Sequence, residues 1–250
     1  MRALNRRSGR ARPLAWALTT LPACAALALA VTGVVRAQSA PPPERVAALK
    51  QSLADSQASL RSYEWVETTV VSLKGEEKSR KQNRCYYGAE GQVQKLPVEE
   101  AAPQSRGRKR RGVRGRVAEK KKGELTDYMK RAVNLVHMYV PPDPSRIQRS
   151  KDAGKASIQM LDPGKRARLE FRDYLEDGDS LAIELDLVTN TLLGLAVSSY
   201  LGSPEDPVGL DVQMGSLQDG TGYPARITLD TQAQKLSVTI ENSGYRKVGP

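Results

Sequence analysis

Cysteine, histidine and phenylalanine are almost missing from this chain, whose 250 residues include two cysteines, one histidine and one phenylalanine. The shortage of thiols excludes a disulfide framework. Cys24 lies in an N-terminal segment expected to be removed, which leaves Cys85 alone, so stability outside the cytoplasm has to come from a packed core. Followed by Tyr86 and Tyr87 in an expected strand, Cys85 reads as a small buried residue. The shortage of imidazole leaves little room for metal sites or acid–base constellations. His137 stands between Val136 and Met138 in an expected helix and reads as a half-buried helix residue rather than a ligand or general base. A Gly-x-Ser-x-Gly elbow and a phosphate-binding glycine loop are lacking too. No catalytic residue, metal ligand or cofactor is therefore assigned, and the chain is expected not to be an enzyme.

Acidic residues are lacking from the first 37 positions. Arg2, Arg6, Arg7, Arg10 and Arg12 precede an apolar run from Leu14 to Val35, and Val35-Arg36-Ala37 ends in a small residue. This is the pattern of a signal peptide cleaved after Ala37, which predicts a periplasmic or secreted protein. A retained anchor is the alternative, since the run is nearly long enough to span a membrane; Thr19, Thr20, Pro22 and Thr32 interrupt it. Residues 38–43, with three consecutive prolines, read as an extended spacer.

Six of the 39 basic residues and none of the 28 acidic ones lie in residues 1–37, so the mature chain carries a net charge of +5. Ten basic residues against Glu119 alone fall between Gln104 and Gly123, a net of +9, which leaves −4 for everything else. The high isoelectric point thus reports one basic segment and a signal peptide, not a basic body. Apolar periodicity is absent from about 97 to 123, so that stretch is expected to be a disordered insertion. No aromatic residue interleaves its arginines, which removes the stacking platforms of a single-strand binder, and nucleic acid is not expected as a partner. Arg108, Lys109, Arg110 and Arg111 are instead the candidates for contact with an anionic membrane surface.

What the chain has in quantity is two-residue alternation. Ala167, Leu169 and Phe171 alternate with charged residues; Leu181, Ile183, Leu185 and Leu187 follow a turn at Glu176 to Asp179, and Leu193, Leu195 and Val197 continue past Thr189-Asn190. Val208 to Met214, Tyr223 to Leu229 and Leu236 to Ile240 repeat the rhythm. An earlier hairpin is expected from Tyr63 to Leu73 and Ser79 to Tyr87, reversing at Lys74-Gly75-Glu76, and a further strand at Lys155 to Leu161. Helical spacing marks Glu44 to Ser59 and Glu124 to Val140, and Asp143-Pro144 has the capping chemistry of a third helix ending near Gly154. The acids Asp173, Glu176, Asp177 and Asp179 offer oxygen ligands for a hard cation, but read as an ordinary solvated turn. The fold class is α+β: a single domain over 44–250, with eight or nine antiparallel strands in a curved half-barrel and helices covering its concave face.

The order of elements resembles the LolA-like fold of exported bacterial lipid and lipoprotein carriers, which includes the carrier LolA and the sensory domain of RseB. The resemblance rests on the leading helix entering Leu60-Arg61-Ser62-Tyr63-Glu64-Trp65, and on Leu217 to Gly220, Tyr223 to Arg226 and Leu236 to Ile240. It is also similar to secreted bacterial proteins that carry the segments Pro141 to Pro144, Phe171 to Tyr174 and Ser199 to Leu201. The basic segment is no part of the carrier pattern, and no residue matches the arginine implicated in lid control there. The resemblance implies an apolar groove that takes a lipid, an acyl chain or the acyl chains of a lipoprotein; the alternative is an envelope sensor with a protein partner and a permanently filled core. Trp65, Val71, Phe171, Leu185, Leu195 and Val212, on inward-facing positions, are the expected lining. Tyr128, Met129, Val136 and Tyr139 are the expected lid, on a helix expected to open before the sheet does.

Overall fold

A computed structural model describes residues 43–98 and 113–248, with side chains from 48 and from 119 in the two stretches. The elements run α1 (Pro43–Leu60), β1 (Tyr63–Leu73), β2 (Glu76–Tyr87), β3 (Val93–Pro97), α2 (Val113–His137), α3 (Pro144–Asp152), β4 (Ala156–Asp162), β5 (Arg166–Arg172), β6 (Ser180–Asp186), β7 (Thr191–Tyr200), β8 (Pro207–Ser216), β9 (Gly222–Thr231) and β10 (Leu236–Lys247). The expected signal peptide, most of the expected proline-rich spacer and Arg108, Lys109, Arg110 and Arg111 lie outside the described residues.

Local chemistry explains the joints. Lys74 and Gly75 both have positive φ, 56° and 81°, the conformation of a two-residue turn whose twist matches the strands it joins. Asp143 caps α3 by accepting a hydrogen bond from the Ser145 N–H at 2.8 Å, with Pro144 in the first turn. Short reversals leave every strand except β4, which follows the helices, beside its predecessor. The ten strands form one antiparallel sheet in the order β3-β2-β1-β10-β9-β8-β7-β6-β5-β4. The meander from β4 ends by pairing β10 with β1, so the N-terminal hairpin extends a sheet that the last strand completes. The edges β3 and β4 do not pair, and the sheet stays open.

Two expectations change. The strand count rises to ten, partly because Val93–Pro97 pairs with β2 although its side chains are exposed. The expected disordered insertion of about 97–123 is overturned over 113–123, which belongs to α2, a helix of 25 residues, while 99–112 lie outside the described residues. The first turns of α2 lack an apolar face and include Gly115 and Gly123, but Arg114, Arg116, Ala118 and Glu119 to Lys122 have high helix propensity, and they continue a helix already nucleated by its packed C-terminal half.

Candidate functional site: a half-covered apolar face

Strand register turns the alternation into transverse rows. One row runs Ala156, Phe171, Leu181, Val197, Leu210, Leu229, Val238, Val71 from β4 to β1. Its neighbour on the same face runs Ile158, Leu169, Ile183, Leu195, Val212, Ile227, Ile240, Thr69 across the same eight strands. The two are covered unequally. Phe171, Leu181, Val197, Leu210 and Leu229 are buried in one cluster with Ala132, Leu135, Val136 and Tyr139 of the α2 segment. In the second row Leu195 is buried, while Leu169, Ile183, Val212, Ile227 and Ile240 are only half-buried. Helix α1 packs near β7, β9 and β1, its Ser56 hydroxyl accepting a hydrogen bond from the Gly222 N–H at 3.0 Å.

The six expected lining residues are not one site. Phe171 and Leu195 join the buried cluster, each 7% exposed. Val212 packs at its rim. Leu185 and Val71 are half-buried, Val71 entering the first row through Val238. Trp65 lies elsewhere, buried in an aromatic cluster where its ring stacks on Tyr245 at 5.5 Å and lies 5.7 Å from Tyr87. Tyr245 also meets Tyr63 and Tyr223, and burial pushes its hydroxyl pKa upward. Gly215 makes room for this group, since a Cβ there would come 2.8 Å from the Tyr223 ring. At this end the face is polar as well as aromatic. The buried Glu67 carboxylate accepts hydrogen bonds from the Lys95 ammonium at 2.6 and 2.7 Å, and Trp65 donates to the Asn242 side chain at 3.1 Å.

The expected lid is pinned at both ends. Tyr139 is fully buried; its hydroxyl donates to Asp179 and lies 2.8 Å from the Ser199 hydroxyl. Tyr128 is buried and donates to Asp206; burial, then that hydrogen bond, pushes its pKa up to about 12. Val136 is buried and Met129 partly so. The acidic turn is not an ordinary solvated one. Asp179 is 2% exposed and accepts hydrogen bonds from the N–H groups of Tyr174 at 2.6 Å, Leu175 at 3.0 Å and Glu176 at 2.7 Å, so its carboxylate organises the loop and ties it to Tyr139. Asp173 faces out to Lys155 at 2.7 Å, and that contact holds its carboxyl below the usual range. No group of three potential metal ligands occurs among the described residues. His137 is exposed in the last turn of α2, not half-buried, because Leu135, Val136 and Tyr139 take the inward positions. Cys85 is buried as expected, and burial raises its thiol pKa.

The opposite, polar face carries a depression of about 620 Å³ that sequence reasoning did not anticipate. Ala182, Gly194 and Ala196 are among the residues lining it, and Arg166 and Arg168 both reach Glu184, at 3.4 and 3.5 Å. Small residues between charged neighbours were its only sequence signal.

No protein-family model and no curated protein matches the chain. Among solved structures it is similar to a DUF1329 family protein from Desulfovibrio piger, with 10% identity, 85% of this chain and 95% of that one covered, and a TM-score of 0.36. A LolA superfamily protein from Nitrosomonas europaea matches at 8% identity over 80% and 94% of the two chains, with a TM-score of 0.33. The complex of MucA and MucB from Pseudomonas aeruginosa matches at 9% identity, 83% and 100% coverage, and a TM-score of 0.21. The superfamily that the sequence resembles is thus among the structural neighbours, but likenesses this low transfer neither a ligand nor a site. Among the described residues, no helix is long and apolar enough to cross a membrane.

Proposed function

We propose that the mature chain is an exported, non-enzymatic binding protein that holds an acyl chain or another lipophilic ligand against the second row, with the sheet curled as a half-barrel and helices over its concave face. The observation that carries this is the contrast between neighbouring rows, one buried under the α2 segment from Phe171 to Leu229 and the next, Leu195 apart, left half-buried from Leu169 to Ile240. Aliphatic surface left in water is a standing driving force for association. Seven strand intervals of about 4.8 Å give the row a length of roughly 34 Å. The acyl chains of one leaflet fill about half of a hydrocarbon core of about 30 Å, so a single chain fits across about four strands.

Native mass spectrometry and lipid extraction of protein purified from the envelope fraction test this. Co-purifying lipid that is lost from a Val212→Glu variant is expected; protein repeatedly free of lipid, and unable to take up a fluorescent fatty acid, would count against a carrier. The burial of Phe171, Leu195 and Tyr139 favours the second reading, a sensor whose core is permanently filled. Such a protein would bind a defined envelope partner and no lipid.

A further inference from the structure

Helix α2 changes character at Leu125. Downstream, Tyr128, Ala132, Leu135 and Val136 are buried. Upstream, every described side chain from Glu119 to Glu124 is exposed, and Leu125 alone is half-buried before Thr126 and Asp127 return to solvent. Two helical turns back from Tyr128, the same face of the helix carries Lys121. That position cannot be laid on aliphatic strands without burying a charge, so the first turns of α2 are built to overhang the body and not to cover it.

Charge divides at the same place. Val113–Gly123 carries Arg114, Arg116, Lys120, Lys121 and Lys122 against Glu119, whereas Glu124–His137 balances Lys130 and Arg131 with Glu124 and Asp127. Lys120 makes a loose exposed pair with Glu124 at 3.9 Å; among the described residues, Lys121 and Lys122 have no acidic partner. Three consecutive lysines also spread over roughly 200° of a helix with 3.6 residues per turn. That spread is poorly matched to a groove read along one helix face, and no aromatic residue is present there to stack on a base. It suits a diffuse field.

We infer that the overhanging start of α2 docks on an anionic lipid surface. The overhang is continuous with the packed half of α2, so docking would set the body and its half-covered row at a fixed distance from the headgroups. The inference stands whether or not that row holds lipid.

The test uses protein expressed in full and purified as the cell processes it, sedimented with vesicles of phosphatidylglycerol and phosphatidylcholine or of phosphatidylcholine alone. Binding is expected only to the anionic vesicles, and it should weaken steeply between low and physiological salt. Replacing Lys120, Lys121 and Lys122 together by Gln, which retains helix propensity, should weaken it by about 5-fold per lysine, or about 100-fold in all. The thermal midpoint should not move, and Lys78→Gln with Lys81→Gln on β2 should leave binding unchanged. Triple-variant binding within twofold of wild type would overturn the inference, as would wild-type binding that ignores salt or lipid charge. Tighter binding to a short DNA duplex or an acidic protein at the same salt would overturn the commitment to lipid.

Discussion

Replacing Asp179 should destabilise the protein more than replacing any other acid of its turn, by an amount that follows from its hydrogen bonds. The carboxylate accepts from three backbone N–H groups and from the Tyr139 hydroxyl. In Asp179→Ala these donors fare differently. Tyr174 is buried, so its N–H is orphaned; Leu175 is half-buried, and Glu176 is exposed enough to turn to water. The Tyr139 hydroxyl keeps Ser199. One full and one partial orphan, at about 1–3 kcal/mol each, plus the lost charge-assisted bonds give roughly 3–4 kcal/mol. Asp179→Asn retains one acceptor oxygen and should cost about 2 kcal/mol, and Tyr139→Phe, which leaves all three N–H bonds in place, about 1 kcal/mol. For a domain of this size each kcal/mol lowers the thermal midpoint by about 2–4 °C. Urea unfolding followed by circular dichroism measures all three variants, and a double-mutant cycle isolates the Asp179–Tyr139 coupling. An Asp179→Ala protein within about 0.5 kcal/mol of wild type would refute the reasoning, as would a Tyr139→Phe variant less stable than Asp179→Ala.

Two further perturbations probe the other end of the face. Asp219 accepts hydrogen bonds from the Tyr63 hydroxyl and the Thr221 N–H and faces Lys247 at 3.1 Å, which hold its carboxyl well below the usual carboxylate range, the Tyr63 bond first. Because its folded pKa is depressed, its stabilisation is complete above about pH 4 and is lost as pH falls through the folded value; the stability gap between wild type and Asp219→Asn should therefore be flat at neutral pH and close in strong acid, and a gap independent of pH would contradict this. Lys95→Ala leaves the buried Glu67 carboxylate unpaired and should cost about 1–2 kcal/mol, discounted because Lys95 is half exposed. Adding Glu67→Leu should recover most of that loss in chemical denaturation; an additive double variant would show that the pair is not coupled.

The strands were legible because alternation and register are tied together. Once β6 is read as Leu181, Ile183 and Leu185 on one side, short turns carry the same face through β7, β8 and β9, and the structure pairs them as such. The cap of α3 at Asp143 was legible for the same local reason, whereas the start of α2, placed at Glu124 by its apolar spacing, lies at Val113. Buried polar groups were not legible. Nothing in Glu176-Asp177-Gly178-Asp179 marks the fourth residue as the inward one; that follows from the chain closing over it, with Asp173 and Gly178 both at positive φ, 48° and 84°, and from Tyr139 arriving from the turn after α2, 40 residues away. Trp65 was misplaced because alternation gives a face but not a position along it. It shares its side of β1 with Val71, yet three residue pairs further along the strand the face belongs to the tyrosines of β10 and β9.

Hydrogen exchange along α2 brings these points together, because the sequence predicts one cover helix opening before the sheet, whereas the geometry predicts two halves. Between Tyr128 and Tyr139 the α2 segment contributes Ala132, Leu135 and Val136 to the buried cluster and is tied down by Asp206 at one end and by Asp179 and Ser199 at the other. Opening it would expose Phe171, Leu181, Val197, Leu210 and Leu229 together, which amounts to dissolving the core. Amides from Ala132 to His137 should thus exchange as slowly as those of Leu181 to Leu185, at the rate of global unfolding. The turns before Leu125 have no such support. A helical stretch shorter than about 12–15 residues is marginal in water unless packing supports it, so amides from Glu119 to Glu124 should exchange at least about 100-fold faster, since a difference of about 2.7 kcal/mol or more separates local fraying from global opening. Adding anionic vesicles should slow only this first group. Uniform protection along the whole helix would mean that the overhang is packed on something in solution; uniform lability would mean that Tyr139 does not hold the helix down, and the row beneath it would then be open rather than filled.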